Sequence, residues 1–162
     1  MKKAVNFLIF VPMLLFGLFF YNNNVFYNKF KEYNNATFCY VYSNKNFTNK
    51  TENLNTVFTN FKTINNGDKT FLYFSKIKTK IFETPDYMQV CFLGSHNQVR
   101  EIIKDLNLNK VFSEKFENYF SFYGYSSNWV KYKILKNKKV NFQIVFKENK
   151  ITIGYPMIYG SF

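Results

Sequence analysis

Hydrophobic residues follow two different periods along the chain, and the change between them predicts strands and helices from about residue 36 onwards. Several stretches are rich in aromatic and β-branched residues, which is typical of β-strands. The predicted strands are residues 37–43, 69–82, 87–94, 118–126 and 129–135. Lys76, Lys78 and Lys80 alternate within the second of them, which indicates that its far end presents one face to solvent.

Two helices are predicted from hydrophobic residues spaced at i, i+3, i+4 and i+7. These residues are Leu54, Val57, Phe58 and Phe61 in the first helix and Val99, Ile102, Ile103 and Leu106 in the second. Ser95 and Gln98 precede the second set with the spacing of a capping box, in which each side chain bonds the backbone of the other residue. We therefore expect the second helix to begin directly after Ser95.

Residues 140–147 and 151–158 predict a final hairpin around a short polar turn. The order is then β-α-β-β-α-β followed by this hairpin, so we predict an α+β fold with a mainly antiparallel sheet and two helices on one face. Residues 151–162 carry no charged side chain, and they are predicted to supply the last strand of the core, with Ile151 and Ile153 on one face. Gly154 is expected at a bulge or a close approach, and Pro156 at the strand end.

The segment from Ala4 to Tyr21 is uncharged and strongly apolar, and it follows Lys2 and Lys3. Eighteen residues of helix span about 27 Å, enough to cross the hydrocarbon core of a bilayer. We predict a single-pass anchor over residues 1–21, a linker over 22–35 and an extracytoplasmic domain over 36–162, because flanking lysines stay cytoplasmic. The alternative is a cleaved signal peptide and a secreted domain, although no small-x-small cleavage site follows.

The net charge of the chain is +12, and it is still +10 without the two N-terminal lysines. Lys, Asn, Phe, Tyr and Ile dominate, and all five have codons rich in A and T, so genomic bias explains part of the charge. The remaining explanation is a basic surface that faces an acidic partner. Nucleic acid is not the expected partner, because the domain is predicted to face outward and arginine is nearly absent.

Candidate chemistry is sparse. Cys39 and Cys91 are the only cysteines and His96 the only histidine, too few ligands for a Cys/His zinc site within one chain. The cysteines are either a single disulfide or two buried thiols. His96 fits the first turn of a helix better than a general base. No phosphate-binding loop or metalloprotease motif occurs, so we predict no catalytic, cofactor-binding or metal-binding residues.

The C-terminal quarter resembles the YwmB-like family of secreted or membrane-anchored proteins from spore-forming Gram-positive bacteria. The matching residues are Gly124-Tyr125-Ser126, Lys139-Val140-Asn141 with Gln143-Ile144, and Ile153-Gly154 with Pro156 and Ile158. The chain departs from the family pattern in the short turn at residues 148–150. The resemblance implies an α+β fold like that of the TATA-box-binding protein and no known activity, and a fold alone does not imply DNA binding.

Together these features predict a membrane-anchored extracytoplasmic binding or scaffold protein of the cell envelope without catalysis or a cofactor. Its expected partners are the membrane, through the N-terminal helix, and an anionic lipid, an anionic wall polymer or a protein. The alternatives are a small envelope hydrolase or transferase with an unrecognised site, and a subunit of a larger membrane assembly.

Overall fold

A computed structural model describes residues 24–43, 54–79 and 84–160. The helices are α1 (residues 24–30), α2 (Leu54–Val57) and α3 (His96–Asp105). The strands are β1 (Thr37–Ser43), β2 (Phe58–Thr59), β3 (Lys62–Asn66), β4 (Lys69–Phe74), β5 (Lys76–Ile77), β6 (Tyr87–Leu93), β7 (Asn109–Lys115), β8 (Phe120–Tyr125), β9 (Lys133–Leu135), β10 (Lys138–Val140), β11 (Phe142–Lys147) and β12 (Lys150–Tyr155).

Eight of these strands form one sheet in the order β3-β4-β1-β6-β12-β11-β8-β7, and all its neighbouring strands are antiparallel. Strands β9 and β10, and strands β2 and β5, form separate antiparallel pairs. Alternate side chains of the sheet point to opposite faces. One face, the core face, carries most of the buried aromatic and aliphatic residues. This architecture confirms the predicted α+β class with a mainly antiparallel sheet.

Helix α3 covers the core face as its sequence predicts. The Ser95 hydroxyl accepts from the Gln98 amide at 3.4 Å, and the Gln98 side chain accepts from the Ser95 amide at 2.8 Å, so the predicted capping box is confirmed. Val99 and Ile102 are buried in the same hydrophobic cluster as strand residues such as Ile144. The short helix α2 packs against that cluster through Leu54 and Val57.

Helix α1 corrects the predicted linker over residues 22–35. Phe26 and Phe30 are fully buried, and the Phe30 ring lies 6.2 Å from the ring of Phe92 on β6. The aromatic residues that the sequence scatters through an Asn-rich stretch thus fill the core, and residues 24–33 belong to the folded domain. The predicted anchor from Ala4 to Tyr21 lies outside the described residues. Within the ranges that the structure describes, no helix has the length and apolarity needed to cross a membrane.

The first predicted helix is much shorter than its hydrophobic spacing indicates. It ends at Val57, and Asn60 adopts a positive φ of 50°, which interrupts the helical backbone. Phe58 then pairs with Ile77, and residues 62–66 form β3 against β4. Pairing with strands distant in the sequence therefore decides the structure of residues that the local hydrophobic pattern assigns to a helix. The predicted strand 69–82 also divides, because β4 ends at Phe74.

Strand β7 has no counterpart among the predicted strands. It pairs with β8 at the edge of the sheet, where most of its side chains are partly or fully exposed, so its sequence lacks a buried alternation. A register shift lies between Lys110 and Phe112, opposite Gly124. A Cβ at Gly124 would lie 3.1 Å from the Cβ of Leu108, so the chain approaches closely at this glycine.

The C-terminal strand is central rather than peripheral. Strand β12 pairs with β11 on one side and β6 on the other, and Ile151 and Ile153 are fully buried on the core face. After β12 the chain passes through the cis Tyr155–Pro156 peptide and crosses the opposite face of the sheet, the tail face. A Cβ on Gly154 would lie 2.2 Å from the backbone nitrogen of Ile158, so only glycine allows this crossing.

Candidate anion-binding cleft

A cleft of about 390 Å³ lies at the end of the sheet where β1 and β12 finish and β4 and β6 begin. The segment that follows Trp129 passes beside this sheet end and completes the cleft. The lining residues are Ser43, Lys69, Asp86, Tyr87, Lys131, Tyr132, Lys133 and Pro156. Antiparallel pairing aligns Ser43 with Lys69 and Val41 with Tyr87, so residues far apart in the sequence share this end.

Lys69 and Asp86 form the ion pair of the cleft. The Lys69 ammonium donates to the Asp86 carboxylate at 2.8 Å and to the Ser43 hydroxyl at 3.3 Å. The hydrogen bond to Asp86 raises the pKa of Lys69, so this ammonium stays protonated. Partly exposed pairs of this kind add at most about 1 kcal/mol to stability, so the pair orients Lys69 more than it stabilises the fold.

Lys131 and Lys133 supply further positive charge from the opposite wall. The Lys131 ammonium donates to the Pro85 carbonyl oxygen, and the Lys131 amide donates to the Tyr155 hydroxyl at 2.8 Å. Burial lowers the pKa of the Lys131 ammonium, and the charge of Asp86 opposes that effect. Lys133 lies over the Tyr87 ring, with its Nζ 5.3 Å from the ring centroid. Both lysines are thus held by contacts within the fold.

The cleft has the charge of an anion-binding site. Its lining includes three lysines and one aspartate, which leaves an excess of two positive charges. Ammonium, tyrosine and serine groups together donate hydrogen bonds to oxyanions such as phosphate or carboxylate. The lining contains neither histidine nor cysteine. Within the described ranges, no three side chains among histidine, cysteine, aspartate and glutamate come together as a metal site.

The two cysteines lie on neighbouring strands, β1 and β6, and on the tail face. Cys39 is opposite Gln89 and Cys91 is two residues further along β6, so the pair is diagonal across the strands. Both are free thiols in this structure. Burial raises the pKa of the Cys39 thiol to about 11, against a smaller opposing effect of a hydrogen bond with Tyr73. Cys39 is therefore a poor nucleophile at neutral pH.

His96 lies at the opposite end of the sheet from the cleft. It is the first residue of α3, it is exposed, and its ring lies 5.6 Å from the Phe146 ring and 6.0 Å from the Phe120 ring. Cys91 lies on the tail face of β6, because its neighbour Phe92 is buried on the core face. The structure therefore does not bring His96 together with either cysteine.

The residues that carry the family resemblance have structural contacts. The Asn141 side chain accepts from the Ser126 amide at 2.9 Å and donates to the carbonyl oxygens of Ser126 and Trp129 at 2.7 and 3.1 Å. The Gln143 side chain accepts from the Ile158 amide at 3.4 Å. These bonds hold the turn before Trp129 and the crossing tail. Among the residues of the resemblance, Pro156 also lines the cleft.

Sequence reasoning did not identify Lys69, Asp86 or Lys131 as partners. The cleft combines five separate segments of the sequence, and the registers of β1 with β4 and β6 align three of them. Two features of the cleft are visible in the sequence, the lysine-rich residues 131–139 and the Pro85-Asp86 turn before β6. Neither of them indicates that it packs against the other.

Comparison of the chain with protein-family models, with curated proteins and with solved structures gives no match. The resemblance to the YwmB-like family therefore stays a prediction, and the function of the chain has to be argued from the cleft itself.

Proposed function

We propose that this chain is a membrane-anchored extracytoplasmic binding protein whose cleft takes a phosphate-bearing anion of the cell envelope, without catalysis. The observation that carries the proposal is the convergence of Lys69, Lys131 and Lys133 on one concave surface with a single carboxylate. Lysines are usually scattered over a protein surface, whereas these are oriented by Asp86, by the Pro85 carbonyl and by the Tyr87 ring.

Phosphate is the anion that this geometry favours. Its charge matches the excess of positive charge in the cleft, and its oxygens accept from several ammonium and hydroxyl donors at once. The Tyr87 ring provides apolar surface for the carbon atoms that adjoin the phosphate. A phosphodiester of glycerol or another polyol has both the charged phosphate and the adjoining carbon atoms. This chemistry occurs in anionic lipid headgroups and in wall polymers.

Binding is favoured over hydrolysis: the Ser43 hydroxyl accepts from Lys69, whose raised pKa keeps it protonated, so the cleft offers no free base beside this nucleophile. Its single carboxylate is already bonded to Lys69, and His96 lies at the other end of the sheet. General acid–base chemistry requires a group within hydrogen-bond reach of the reacting proton. The charge of the whole chain supports the same proposal, since a basic protein attracts acidic partners over long range.

The test is a titration of the full chain in neutral detergent micelles, followed by NMR of the backbone amides. One arm adds soluble poly(glycerol phosphate), and the other dopes the micelles with phosphatidylglycerol. We expect the amides of residues 86–87 and 131–133 to shift in at least one arm, and the responding arm identifies the source. Added salt should weaken the binding. No shift at these amides in either arm would overturn the proposal.

The variant pair for this test removes equal charge inside and outside the cleft. The double variant Lys131→Gln/Lys133→Gln should weaken binding at least about tenfold, because each lost lysine removes an attraction to the anion. The control Lys62→Gln/Lys150→Gln removes two exposed lysines elsewhere and should leave the affinity nearly unchanged. Lys133→Gln alone serves if the double variant does not fold, since Lys131 also packs into the domain.

A further inference from the structure

The hairpin β9–β10, together with residues 130–132 that lead into β9, presents an apolar outer face to solvent. Val130, Tyr132 and Ile134 alternate along an extended segment, so their side chains share one side. They are 39%, 44% and 59% exposed. The described residues contain six exposed large hydrophobic side chains, and three of them lie within these five positions. Scattered exposed apolar residues are ordinary on a protein surface, but a cluster indicates a contact surface.

Lysines surround this outer face. Lys139 pairs with Ile134 across the hairpin, and its Nζ lies 4.5 Å from the centroid of the Tyr132 ring. Between Glu117 and Glu148 the sequence has no acidic residue, whereas residues 131–139 contain five lysines. Lys136 is paired with Glu114 at 3.0 Å. The hairpin therefore combines an apolar stripe with a positive border, which complements a negatively charged surface that has an apolar interior.

The base of the hairpin lies beside the start of the described chain. The ring of Phe26 on α1 meets the ring of Trp129 edge-on at 6.3 Å, and Trp129 directly precedes Val130. Phe26 follows the end of the predicted anchor, Tyr21, by only five residues, which extend over at most about 18 Å. An anchor that spans the bilayer would therefore hold this hairpin close to the membrane surface.

We propose that the outer face of β9–β10 docks on the anionic bilayer in which the chain is anchored. Val130 and Ile134 enter the apolar side of the headgroup region, Tyr132 lies at the interface, and Lys138 and Lys139 contact acidic headgroups. Tyrosine favours this depth because its ring is apolar and its hydroxyl is polar. Lysine stems contribute apolar length while their ammonium groups stay in the headgroups. The inference goes beyond the cleft and does not require it to be occupied.

The experiment places a fluorophore that senses polarity on the hairpin of the full chain. Cys39 and Cys91 are replaced by alanine, and Ile134→Cys supplies the only thiol for labelling. The protein is reconstituted in vesicles of phosphatidylcholine alone or with one third phosphatidylglycerol. We expect emission at shorter wavelength, and quenching by a lipid-borne quencher, in the anionic vesicles. The matched control is Asn149→Cys in the β11–β12 turn, which is also exposed and should show neither effect.

Two further variants separate this proposal from the cleft. Val130→Ser and Lys138→Gln/Lys139→Gln should each weaken docking about tenfold, since one removes apolar burial and the other attraction to headgroups. Both should bind soluble poly(glycerol phosphate) as the parent chain does, because neither changes a residue that lines the cleft. A fluorophore that responds equally in neutral vesicles, or only as protein concentration rises, would overturn the proposal in favour of unselective insertion or self-association.

Discussion

The hairpins β9–β10 and β11–β12 have the same turn and opposite surroundings. Lys136-Asn137 and Glu148-Asn149 all have φ between 50° and 60°, the left-handed pair of conformations that defines a two-residue type I′ turn. Yet β11–β12 lies in the middle of the sheet between β8 and β6, whereas β9 and β10 pair only with each other among the described strands. The turn residues thus specify that a hairpin forms. Whether the hairpin lies in the core or at the surface depends on the strands that pair with it.

The side chains differ accordingly. Ile151 and Ile153 are fully buried, and Ile134 is 59% exposed. Both hairpins are rich in branched aliphatic residues, so composition alone does not separate them. Lysines distinguish them better, because they border the apolar side chains of β9–β10 and occupy only the turn end of β11–β12. The second hairpin thus contributes its apolar side chains to the core of the domain, whereas the first presents apolar side chains to solvent.

Removal of residues 151–162 should have the largest effect. The truncation deletes a central strand and the buried side chains of Ile151, Ile153 and Tyr155, each worth about 2–5 kcal/mol. Together they exceed the few kcal/mol by which most domains are stable. We expect loss of cooperative unfolding and rapid proteolysis. A truncated chain that resists protease would contradict the central role of β12. Val130→Ser/Ile134→Ser in the other hairpin serves as the folded control.

Single isoleucine substitutions should repeat the contrast on a smaller scale. Ile153→Ala leaves a cavity in the core and should lower the free energy of unfolding by about 2–5 kcal/mol. Ile134→Ala removes an exposed side chain and should change it by less than about 0.5 kcal/mol. Denaturant melts of the two variants measure the difference directly. Similar losses in both would show that β9–β10 is also part of the core.

Two tyrosines allow a finer test of what joins the hairpins. The Tyr155 hydroxyl accepts from the Lys131 amide, so Tyr155→Phe should destabilise the chain by about 1 kcal/mol. Tyr40 is equally buried, but its hydroxyl has no hydrogen-bond partner in the part of the chain that the structure describes. Tyr40→Phe should therefore leave stability unchanged or raise it by about 1 kcal/mol. Opposite signs in thermal melts would support the link through Tyr155.

Alkaline pH should have the smallest effect that we predict, below about 1 kcal/mol at pH 9. The folded state raises the pKa of the Cys39 thiol from 9.0 to about 11, so its stabilising effect is complete below pH 9 and disappears as the pH rises towards 11. Stability should fall across this window, and the slope should decrease in Cys39→Ala. An unchanged slope would mean that burial in the folded state does not raise the pKa of the Cys39 thiol.

Local signals predicted part of this fold well. The capping box of α3, the β11–β12 hairpin and the close approach at Gly154 depend on residues near in sequence, and all are confirmed. Helix α1, the edge strand β7 and the early end of α2 were missed. Each of these is determined by partners distant in sequence, and a hydrophobic period does not contain that information.

The cleft was beyond the reach of sequence patterns for the same reason. A surplus of positive charge is visible in the sequence, but its concentration at one end of the sheet follows from the registers of β1 with β4 and β6. Lys131 has no local feature that distinguishes it from Lys133 or Lys138. Its place in the cleft results from the packing of the segment after Trp129 against the loop at Pro85.

The most direct test of the central claim is hydrogen exchange of the full chain with and without poly(glycerol phosphate). The anion should slow exchange in residues 84–87 and 129–135, because five of the residues that line the cleft lie in these two segments. Residues 143–155 should exchange slowly in both conditions, because they are already bonded within the sheet. Slower exchange confined to other lysine-bearing segments, or no change at all, would contradict the proposal that this cleft binds a phosphate-bearing anion.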